Sequence, residues 1–360
     1  ETITNSYQKV RPAFSETLSP ELPLGLNLGR QLYWLAETFP SEFASATDIL
    51  LLPQYWAWRF SGVLATECSS LGCHTDLWNI AAQDYSSLVD VKGWRSLFPP
   101  LKKAWDALGP VRTNLQTHLG LPANCMVFTG IHDSNASLLR YLQTTVENFA
   151  LVSTGTWTIA MAIGAPLEVL DKDRDMLANC DARGRAVACS RFMGGREYAN
   201  ICAQLNSPLR APNSFDELQE VIDKNYFSLP NFSEGSGPFP KAIGKSIGGT
   251  QENAAALATL YCALMMDLQL ELLEVESDIF IEGSFLKNPF MLAVLAQLRA
   301  PQTLYISESQ FGTVQGCALL SQWNTGVQIK NSMRIGEASA LKGLDEYKKR
   351  WRNFTNDLIA

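Results

Sequence analysis

The sequence lacks the features that would identify three classes of protein. Its eight cysteines among 360 residues are scattered, without a Cys-x-x-Cys pair, so the pattern indicates reduced thiols in a core instead of a disulfide framework or a zinc site. Charged residues make up only 18% of the chain and the net charge is −7, which argues against a nucleic-acid or anionic-membrane partner. The longest nearly apolar run, residues 254–266, is too short to span a bilayer.

What the chain does have is a large apolar fraction. At 46% of 360 residues, it can bury substantial cores, and the length predicts two domains. The chain opens at Glu1 without a basic, Arg-rich or signal-like stretch. Together with the cysteine pattern, this opening predicts a cytoplasmic protein.

Residues 125–139 carry the first candidate for chemistry. The apolar residues 125–128 predict a buried strand, Gly130 a turn, and the small residues from Ser134 onward a helix. Asp133 then follows the carboxyl end of a strand, where a carboxylate is well placed to take a proton from a substrate hydroxyl. The alternative is that Asp133 only caps the helix.

A second candidate lies in residues 149–162. Two apolar runs, 149–152 and 157–162, flank Ser153, Thr154, Gly155 and Thr156, which predicts a hairpin with a four-residue loop. Hydroxyl groups and free backbone N–H groups around one glycine suit phosphate oxygens. The alternative is an ordinary hydroxyl-rich turn.

The C-terminal part reads as alternating strands and helices. A strand at 186–192 runs into Gly194 and Gly195, where a ligand can approach the backbone, and 278–306 predicts a βαβ unit with parallel strands and Asn288 as a helix N-cap. We expect a long central helix at 251–274, and loops with little regular structure at 166–185 and 206–250.

The N-terminal part contains helical patterns at 29–39 and 53–60 and then a polar loop. That loop, residues 69–78, brings Cys73, His74 and Asp76 together, but without a second ligand pair a hydrogen-bonded loop is favoured over a metal site. Trp34, in the first of these helical patterns, could stack on the flat face of a ligand, although large aromatic side chains more often lie in a core.

Two of these stretches together resemble a known family. Gly-Ile-His-Asp-Ser-Asn-Ala-Ser at 130–137 and Ser-Thr-Gly-Thr-Trp at 153–157 are similar to motifs of the FGGY carbohydrate kinases, ATP-dependent sugar kinases of the actin/hexokinase superfamily. Gly-Ser-Phe-Leu-Lys-Asn-Pro at 283–289 resembles the family's adenosine motif, with Ser284 in place of the usual second glycine. The sequence most resembles the kinases of deoxyketoses such as L-fuculose and L-rhamnulose.

The resemblance implies a fold and a set of roles. The fold would be α/β, actin/hexokinase-like (ribonuclease H-like) and two-lobed, with sugar bound by residues 1–146 and ATP by residues 147–360. The reaction would be phosphoryl transfer from ATP to a sugar hydroxyl, with Mg²⁺ implied by the chemistry and Asp133 as the base. The expected partners are a small sugar and ATP, and a homodimer is left open. The implied nucleotide or phosphate residues are Ser153, Thr154, Gly155, Thr156, Gly194, Gly195, Gly283, Ser284 and Asn288, and the implied sugar residues are Trp34, His74, Asp76, His132 and Asn135.

One family signature is missing. No Asp-x-Gly-Thr segment, which holds the β- and γ-phosphates and the metal in these kinases, occurs between Glu1 and Gly25. We therefore expect an incomplete N-terminal lobe, weak nucleotide binding and negligible kinase activity from these 360 residues alone. Two other functions stay open: a non-catalytic sugar or nucleotide sensor of the same fold, and an actin-like ATPase that acts in assembly.

Overall fold

A computed structural model describes residues 2–22, 25–143, 147–309, 311–326 and 332–358. The chain forms two compact units, one made of Glu1–Thr145, Leu177–Val187 and Phe311–Lys330, the other of Val146–Met176, Ala188–Gln310 and Asn331–Ala360. The domain boundary expected between residues 146 and 147 falls at residues 144–146, which lie outside the described residues.

The elements up to residue 143 are mainly short helices. The helices are α1 (Thr2–Gln8), α2 (Phe14–Thr17), α3 (Leu28–Thr38), α4 (Pro40–Ala44), α5 (Leu52–Ser61), α6 (Cys68–Leu71), α7 (Ser87–Val91), α8 (Thr113–Leu119) and α9 (Asp133–Leu139). The strands form two antiparallel pairs, β1 (Trp78–Asn79) with β2 (Asp84–Tyr85) and β3 (Ala107–Pro110) with β4 (Met126–Phe128).

From residue 147 onward strands and longer helices alternate. The strands are β5 (Phe149–Thr154), β6 (Thr158–Ile163), β7 (Met176–Cys180), β8 (Ala186–Phe192), β9 (Phe227–Leu229), β10 (Lys245–Ile247), β11 (Ile279–Gly283), β12 (Leu304–Ser307) and β13 (Met333–Ile335). The helices are α10 (Gly194–Gln204), α11 (Phe215–Asp223), α12 (Ala254–Leu272), α13 (Pro289–Leu298), α14 (Gly312–Leu320) and α15 (Leu344–Asn356).

The second unit is organised around a mixed sheet. Six of its strands follow the order β13-β12-β11-β5-β6-β8. Strand β11 runs parallel to both β12 and β5, and β5 pairs with β6 as an antiparallel hairpin. The predicted βαβ unit with parallel strands is therefore confirmed. Because β5 and β11 are parallel neighbours, their carboxyl ends meet, with Gly283 paired to Thr154.

Helix α12 is the core helix of the second unit. It covers Ala254–Leu272, a span of 19 residues that is long and apolar enough to cross a membrane by those two criteria alone. The long central helix predicted at 251–274 is therefore confirmed, and it is longer than the apolar run 254–266 because polar residues such as Asp267 and Gln269 continue it. Every residue from Ala254 to Leu270 is buried in the structure, as in the central helix of a folded domain.

Two stretches predicted as irregular contain regular elements. Residues 206–250 hold α11, β9 and β10, because Leu218, Val221 and Ile222 form a buried stripe on α11 and the residues of β9 are all buried. Residues 166–185 hold β7, whose buried apolar side chains stand between charged turns. The Pro, Gly, Ser and charged residues on which the loop prediction rested lie mainly in the turns between these elements.

Strand β4 leads to Asp133 from a small apolar core in the first unit. Ala57 of α5 and Leu108 of β3 are buried together, and Val127 of β4 packs against them. Helix α5 begins with Pro53 in its first turn and ends at Gly62, whose φ is +85°. The predicted order of strand, turn and helix around residues 125–139 is confirmed, but the strand is not buried as predicted, since Met126 is exposed and Val127 and Phe128 are half-buried. The eight cysteines are free thiols, and six of them are buried as predicted, whereas Cys125 is half-buried and Cys317 is exposed.

Candidate nucleotide pocket and sugar-site residues

The hairpin loop is shorter than the sequence predicted. Strand β5 continues through Ser153 and Thr154, and Thr154 pairs with Thr158 of β6, which leaves Gly155, Thr156 and Trp157 as the turn. The reason is the Thr154 hydroxyl, which donates to the Glu282 carbonyl at 2.6 Å and accepts from the Phe285 N–H at 3.0 Å. This side chain joins β5 to the end of β11, and only Thr156 of the hydroxyl residues is exposed.

Two glycines allow backbones to meet around this turn. A Cβ on Gly283, where φ is +99°, would lie 1.9 Å from the Thr154 carbonyl oxygen. A Cβ on Gly195 would lie 2.4 Å from the Gly155 carbonyl oxygen, which accepts the Gly195 N–H at 3.1 Å. These positions need glycine because any side chain would displace the turn.

A pocket of about 690 Å³ opens beside the turn, a size within the usual range of ligand sites. Five of the predicted nucleotide residues line it, and they come from the hairpin turn, the start of α10 and the segment between β11 and α13: Gly155, Thr156, Gly195, Ser284 and Asn288. Ser153, Thr154, Gly194 and Gly283 are not among the lining residues and support the backbone next to it. The further lining residues are Arg196, Tyr198, Leu209, Arg210, Ala211, Phe285 and Lys287.

These further residues were missed for two reasons. Arg196 and Lys287 were visible beside the Gly-Gly and Asn motifs, and a basic residue next to a phosphate-binding loop was a usable signal. Leu209, Arg210 and Ala211 lie in the stretch predicted as a surface excursion, so only the fold brings them to the pocket.

The pocket combines positive charge with an apolar wall. Arg210 is fixed in place, since its guanidinium donates to the carbonyls of Ala211 and Glu252 at 3.0 Å each and lies 3.4 Å from the Glu217 carboxylate. Arg196 and Lys287 are exposed. Three basic side chains on one pocket favour an anionic ligand, while Tyr198 and Phe285 offer apolar surface to a flat group.

Asn288 and Tyr198 are joined through Thr259 of α12. The Asn288 side-chain amide donates to the Thr259 hydroxyl at 2.9 Å, and its oxygen accepts the Met291 N–H at 3.2 Å as the predicted N-cap of α13. The Tyr198 hydroxyl lies 3.3 Å from that of Thr259 and donates to the Arg210 carbonyl at 2.7 Å. This network holds the apolar side of the pocket to the core helix.

Asp133, in the first unit, is the first residue of α9 and is 80% exposed at its side chain. Its carboxylate accepts the Ser134 N–H at 2.6 Å and lies 3.2 Å from Nδ1 of His132. Burial lowers the pKa of His132, although the Asp133 carboxylate opposes the shift. The N-cap position of α9 belongs to His132 and Asp133 is the first helical residue, so the capping role is not borne out. The carboxylate is accessible, and its role as a base stays a prediction.

The two predicted histidines lie together. The rings of His74 and His132 are 6.3 Å apart between centroids and nearly perpendicular. The backbone N–H of His132 donates to the Ser69 hydroxyl at 3.3 Å, and that hydroxyl in turn donates to the Glu67 carboxylate at 2.7 Å. Burial raises the pKa of the Glu67 carboxyl, against the effect of its hydrogen bonds from Ser69 and Ser70.

Asp76 is occupied by internal contacts. Its carboxylate is fully buried, accepts the Tyr7 hydroxyl at 2.7 Å and forms an ion pair with Arg11 at 2.9 Å. Burial raises the pKa of the Asp76 carboxyl, although the Arg11 guanidinium opposes the shift. These contacts confirm the predicted hydrogen-bonded loop. A sugar contact from Asp76 stays a prediction. Its carboxylate would have to give up the hydrogen bond from Tyr7 or the ion pair with Arg11 to bind a sugar.

The last two predicted sugar residues differ in exposure. Trp34 on α3 is 45% exposed and packs edge-on against Phe39 at 5.5 Å. Asn135 on α9 is 4% exposed, two residues after Asp133. Trp34 thus has free ring surface, whereas Asn135 is held within the unit.

Comparisons with known proteins decide the family. The model described as "FGGY family of carbohydrate kinases, N-terminal domain" matches residues 10–139, and "Carbohydrate kinase FGGY, C-terminal domain" matches residues 146–329. This chain belongs to the FGGY family of carbohydrate kinases. The crystal structure of a carbohydrate kinase from Novosphingobium aromaticivorans is similar to 98% of this chain, with a TM-score of 0.88 and 32% identity, and the match covers 79% of that protein.

Other FGGY relatives are more distant. L-fuculokinase of Salmonella typhi is 28% identical over 154 residues, 42% of this chain and 32% of that protein. Rhamnulokinase of Enterococcus faecalis is 28% identical over 120 residues, 33% of this chain and 24% of that protein. This FGGY chain thus spans a third or less of the curated relatives it matches. A ligand-bound xylulose kinase of Lactobacillus acidophilus shares the fold, with a TM-score of 0.78 at 15% identity.

The family assignment confirms the predicted fold class, an α/β protein of the actin/hexokinase-like kind. A resident metal was left undetermined by the sequence. Within the described parts of this FGGY chain, no group of three or more His, Cys, Asp or Glu side chains could hold a metal ion.

Proposed function

We propose that this chain is part or all of an ATP-dependent sugar kinase whose nucleotide binds in the second unit. The observation that carries the proposal is the pocket beside the Gly155–Trp157 turn, which collects five of the predicted nucleotide residues and three basic side chains. A polyphosphate suits the glycine turn, the start of α10 and Arg196. An adenine suits the apolar side formed by Tyr198 and Phe285.

In the proposed reaction a sugar hydroxyl attacks the γ-phosphorus of ATP. Asp133 accepts the proton of that hydroxyl, the new oxygen–phosphorus bond forms, and the bond from phosphorus to the ADP oxygen breaks. The exposure of the Asp133 carboxylate supports this role, because a base must be accessible to its substrate. His74, His132, Asn135 and Trp34 are the proposed sugar contacts, and Asp76 supports their loop.

Mg²⁺ would enter with ATP as part of the substrate, where it neutralises phosphate charge. The names of the relatives, L-fuculokinase and rhamnulokinase, support a deoxyketose as the acceptor. We also propose a cytoplasmic location, as the sequence predicted.

The test is a coupled ADP-release assay on the full-length protein with a panel of ketoses including L-fuculose and L-rhamnulose derivatives, because negligible activity is expected from these 360 residues alone. Asp133→Asn keeps the size of the side chain, so it should preserve the melting temperature and lower kcat by about 10² to 10⁴, the usual effect of losing a positioned base. Asp216→Asn is a matched control, since Asp216 is another exposed acid in a first helical turn, that of α11.

Wild-type turnover by Asp133→Asn would end the catalytic role of that residue. Nucleotide and sugar binding without turnover by the unaltered full-length protein would instead support the non-catalytic sensor. ADP release that is independent of sugar would support the actin-like ATPase.

A further inference from the structure

Arg191 lies against the turn of the nucleotide pocket without lining the pocket. Its guanidinium carbon is 4.9 Å from the centroid of the Trp157 ring, within the range of a cation–π interaction. Trp157 is the last residue of the turn, next to the exposed Thr156, and β6 begins immediately after it. Among the described residues that line the pocket, Arg191 is absent while Gly155 and Thr156 are present.

The guanidinium of Arg191 is itself fixed. Its Nε and Nη2 atoms lie 3.0 Å and 2.8 Å from Oδ1 of Asp175, and the other carboxylate oxygen accepts the Gly237 N–H at 3.0 Å. The two side chains of this pair are only 13% and 12% exposed. A partly buried pair with this many hydrogen bonds holds its geometry better than a surface pair.

The turn has contacts on its other sides as well. The Gly155 N–H donates to the Trp157 carbonyl at 2.8 Å, which closes the turn, and the Gly155 carbonyl accepts the Gly195 N–H at 3.1 Å. Thr154 joins the incoming strand to β11. The remaining contact of the turn is made by the Trp157 ring, which packs against the Arg191 guanidinium, and Asp175 holds that guanidinium in place.

We propose that Arg191 is a positioning residue for nucleotide binding: through Trp157 it fixes the turn whose Gly155 and Thr156 face the pocket. The inference rests on the proposed function, since it assumes that a nucleotide binds at this turn. Because the effect passes through loop geometry, it should act on nucleotide affinity and leave the chemistry at the sugar unchanged.

The test compares Arg191→Met with Arg191→Lys and Trp157→Phe. Binding of ATP and of a non-hydrolysable ATP analogue to the full-length protein is measured by calorimetry, together with kcat and both KM values. We expect Arg191→Met to weaken nucleotide binding by roughly 3- to 30-fold, the range of a partly buried cation–π contact. The sugar KM and the kcat at saturating ATP should change by less than about twofold. Arg191→Lys should restore part of the affinity.

A matched control exists in the first unit. Arg112 lies 5.5 Å from the ring centroid of Trp58 and donates to the Trp58 carbonyl at 3.0 Å. Arg112→Met removes a comparable Arg–Trp contact on α5 and should leave nucleotide binding unchanged.

The outcomes separate the two proposals. If the unaltered protein binds ATP and Arg191→Met binds it equally well, or if Arg112→Met weakens binding as much, the positioning role is wrong and the kinase proposal stands. If Arg191→Met does not fold, Trp157→Phe is the test, because it weakens the same Arg–Trp contact by changing the ring. Unchanged ATP binding by Trp157→Phe would then show that the positioning role is wrong. If the unaltered protein binds no nucleotide, both proposals fail.

Discussion

The candidate nucleotide pocket of the second unit and the candidate sugar residues of the first unit are built differently. In the pocket, backbone groups come together at Gly195 and Gly283, where a Cβ would overlap the neighbouring chain. In the first unit, the candidate residues are polar side chains, and several already have internal partners. Asp76 is the clearest example, with Tyr7 and Arg11 on its carboxylate.

This difference shows that glycine motifs and polar motifs carry different kinds of structural information. A glycine motif predicts backbone geometry, and the structure shows that geometry directly at Gly195 and Gly283. A polar motif predicts only that a hydrogen-bonding group is present, and that group can serve a ligand or the fold. Thr154 and Asp76 serve the fold, whereas Thr156 and Asp133 are exposed.

Asp76→Asn should have the largest effect on stability, and it tests whether this carboxylate serves the fold. The substitution leaves Arg11 without its buried partner, so the free energy of unfolding should fall by about 3–5 kcal/mol. Urea denaturation measures the loss. The control is Asp84→Asn, which breaks an exposed pair with Arg95 and should change the free energy of unfolding far less, because solvent screens exposed pairs. Equal losses from the two variants would show that Asp76 is not a structural residue.

An intermediate effect is expected within the hairpin. Thr154→Val removes a hydroxyl that joins two strands and leaves the Phe285 N–H buried, so it should destabilise the protein by about 1–3 kcal/mol. Thr156→Val should leave stability within about 0.5 kcal/mol and weaken ATP binding instead. Thermal melts and calorimetric titration with ATP distinguish the two. If Thr156→Val destabilises the protein more than Thr154→Val does, the assignment of Thr154 to the fold and of Thr156 to ATP binding is wrong.

The smallest effect concerns the pH dependence of stability through Glu197, which neighbours Arg196 and Tyr198 on α10. Burial raises the pKa of the Glu197 carboxyl, against the effect of its bonds from Tyr261 and Ser233. The folded state then binds the proton more tightly than the unfolded chain, so the contribution of this group to stability falls as the pH rises through the raised pKa.

Glu197→Gln should remove that slope. The melting temperature of the variant minus that of the wild type should be larger at pH 8 than at pH 5, because only the wild type loses the contribution of the protonated carboxyl as the pH rises. Melts at both pH values measure this. A relative melting temperature that falls between pH 5 and pH 8 would mean that Glu197 is better stabilised as the charged form.

The sequence predicted the elements whose pattern is local. Strand β8, the βαβ unit, the Asn288 cap and the central helix were all recovered, because periodicity and capping are properties of short windows. It did not predict β7 or α11, which are stabilised by burial against distant segments. The same limit applied to the site, since the glycines of the pocket were found but Arg210 and Tyr198 are brought there only by the fold.

The contact between Gly283 and the backbone of Thr154 has a consequence for dynamics. Because the carboxyl ends of β5 and β11 lie in direct backbone contact, the hairpin turn and the Ser284–Lys287 segment cannot fluctuate independently. Amide protons in both segments should therefore exchange with solvent as one cooperative unit. A ligand that touches only one side of the pocket would then slow hydrogen exchange on both sides.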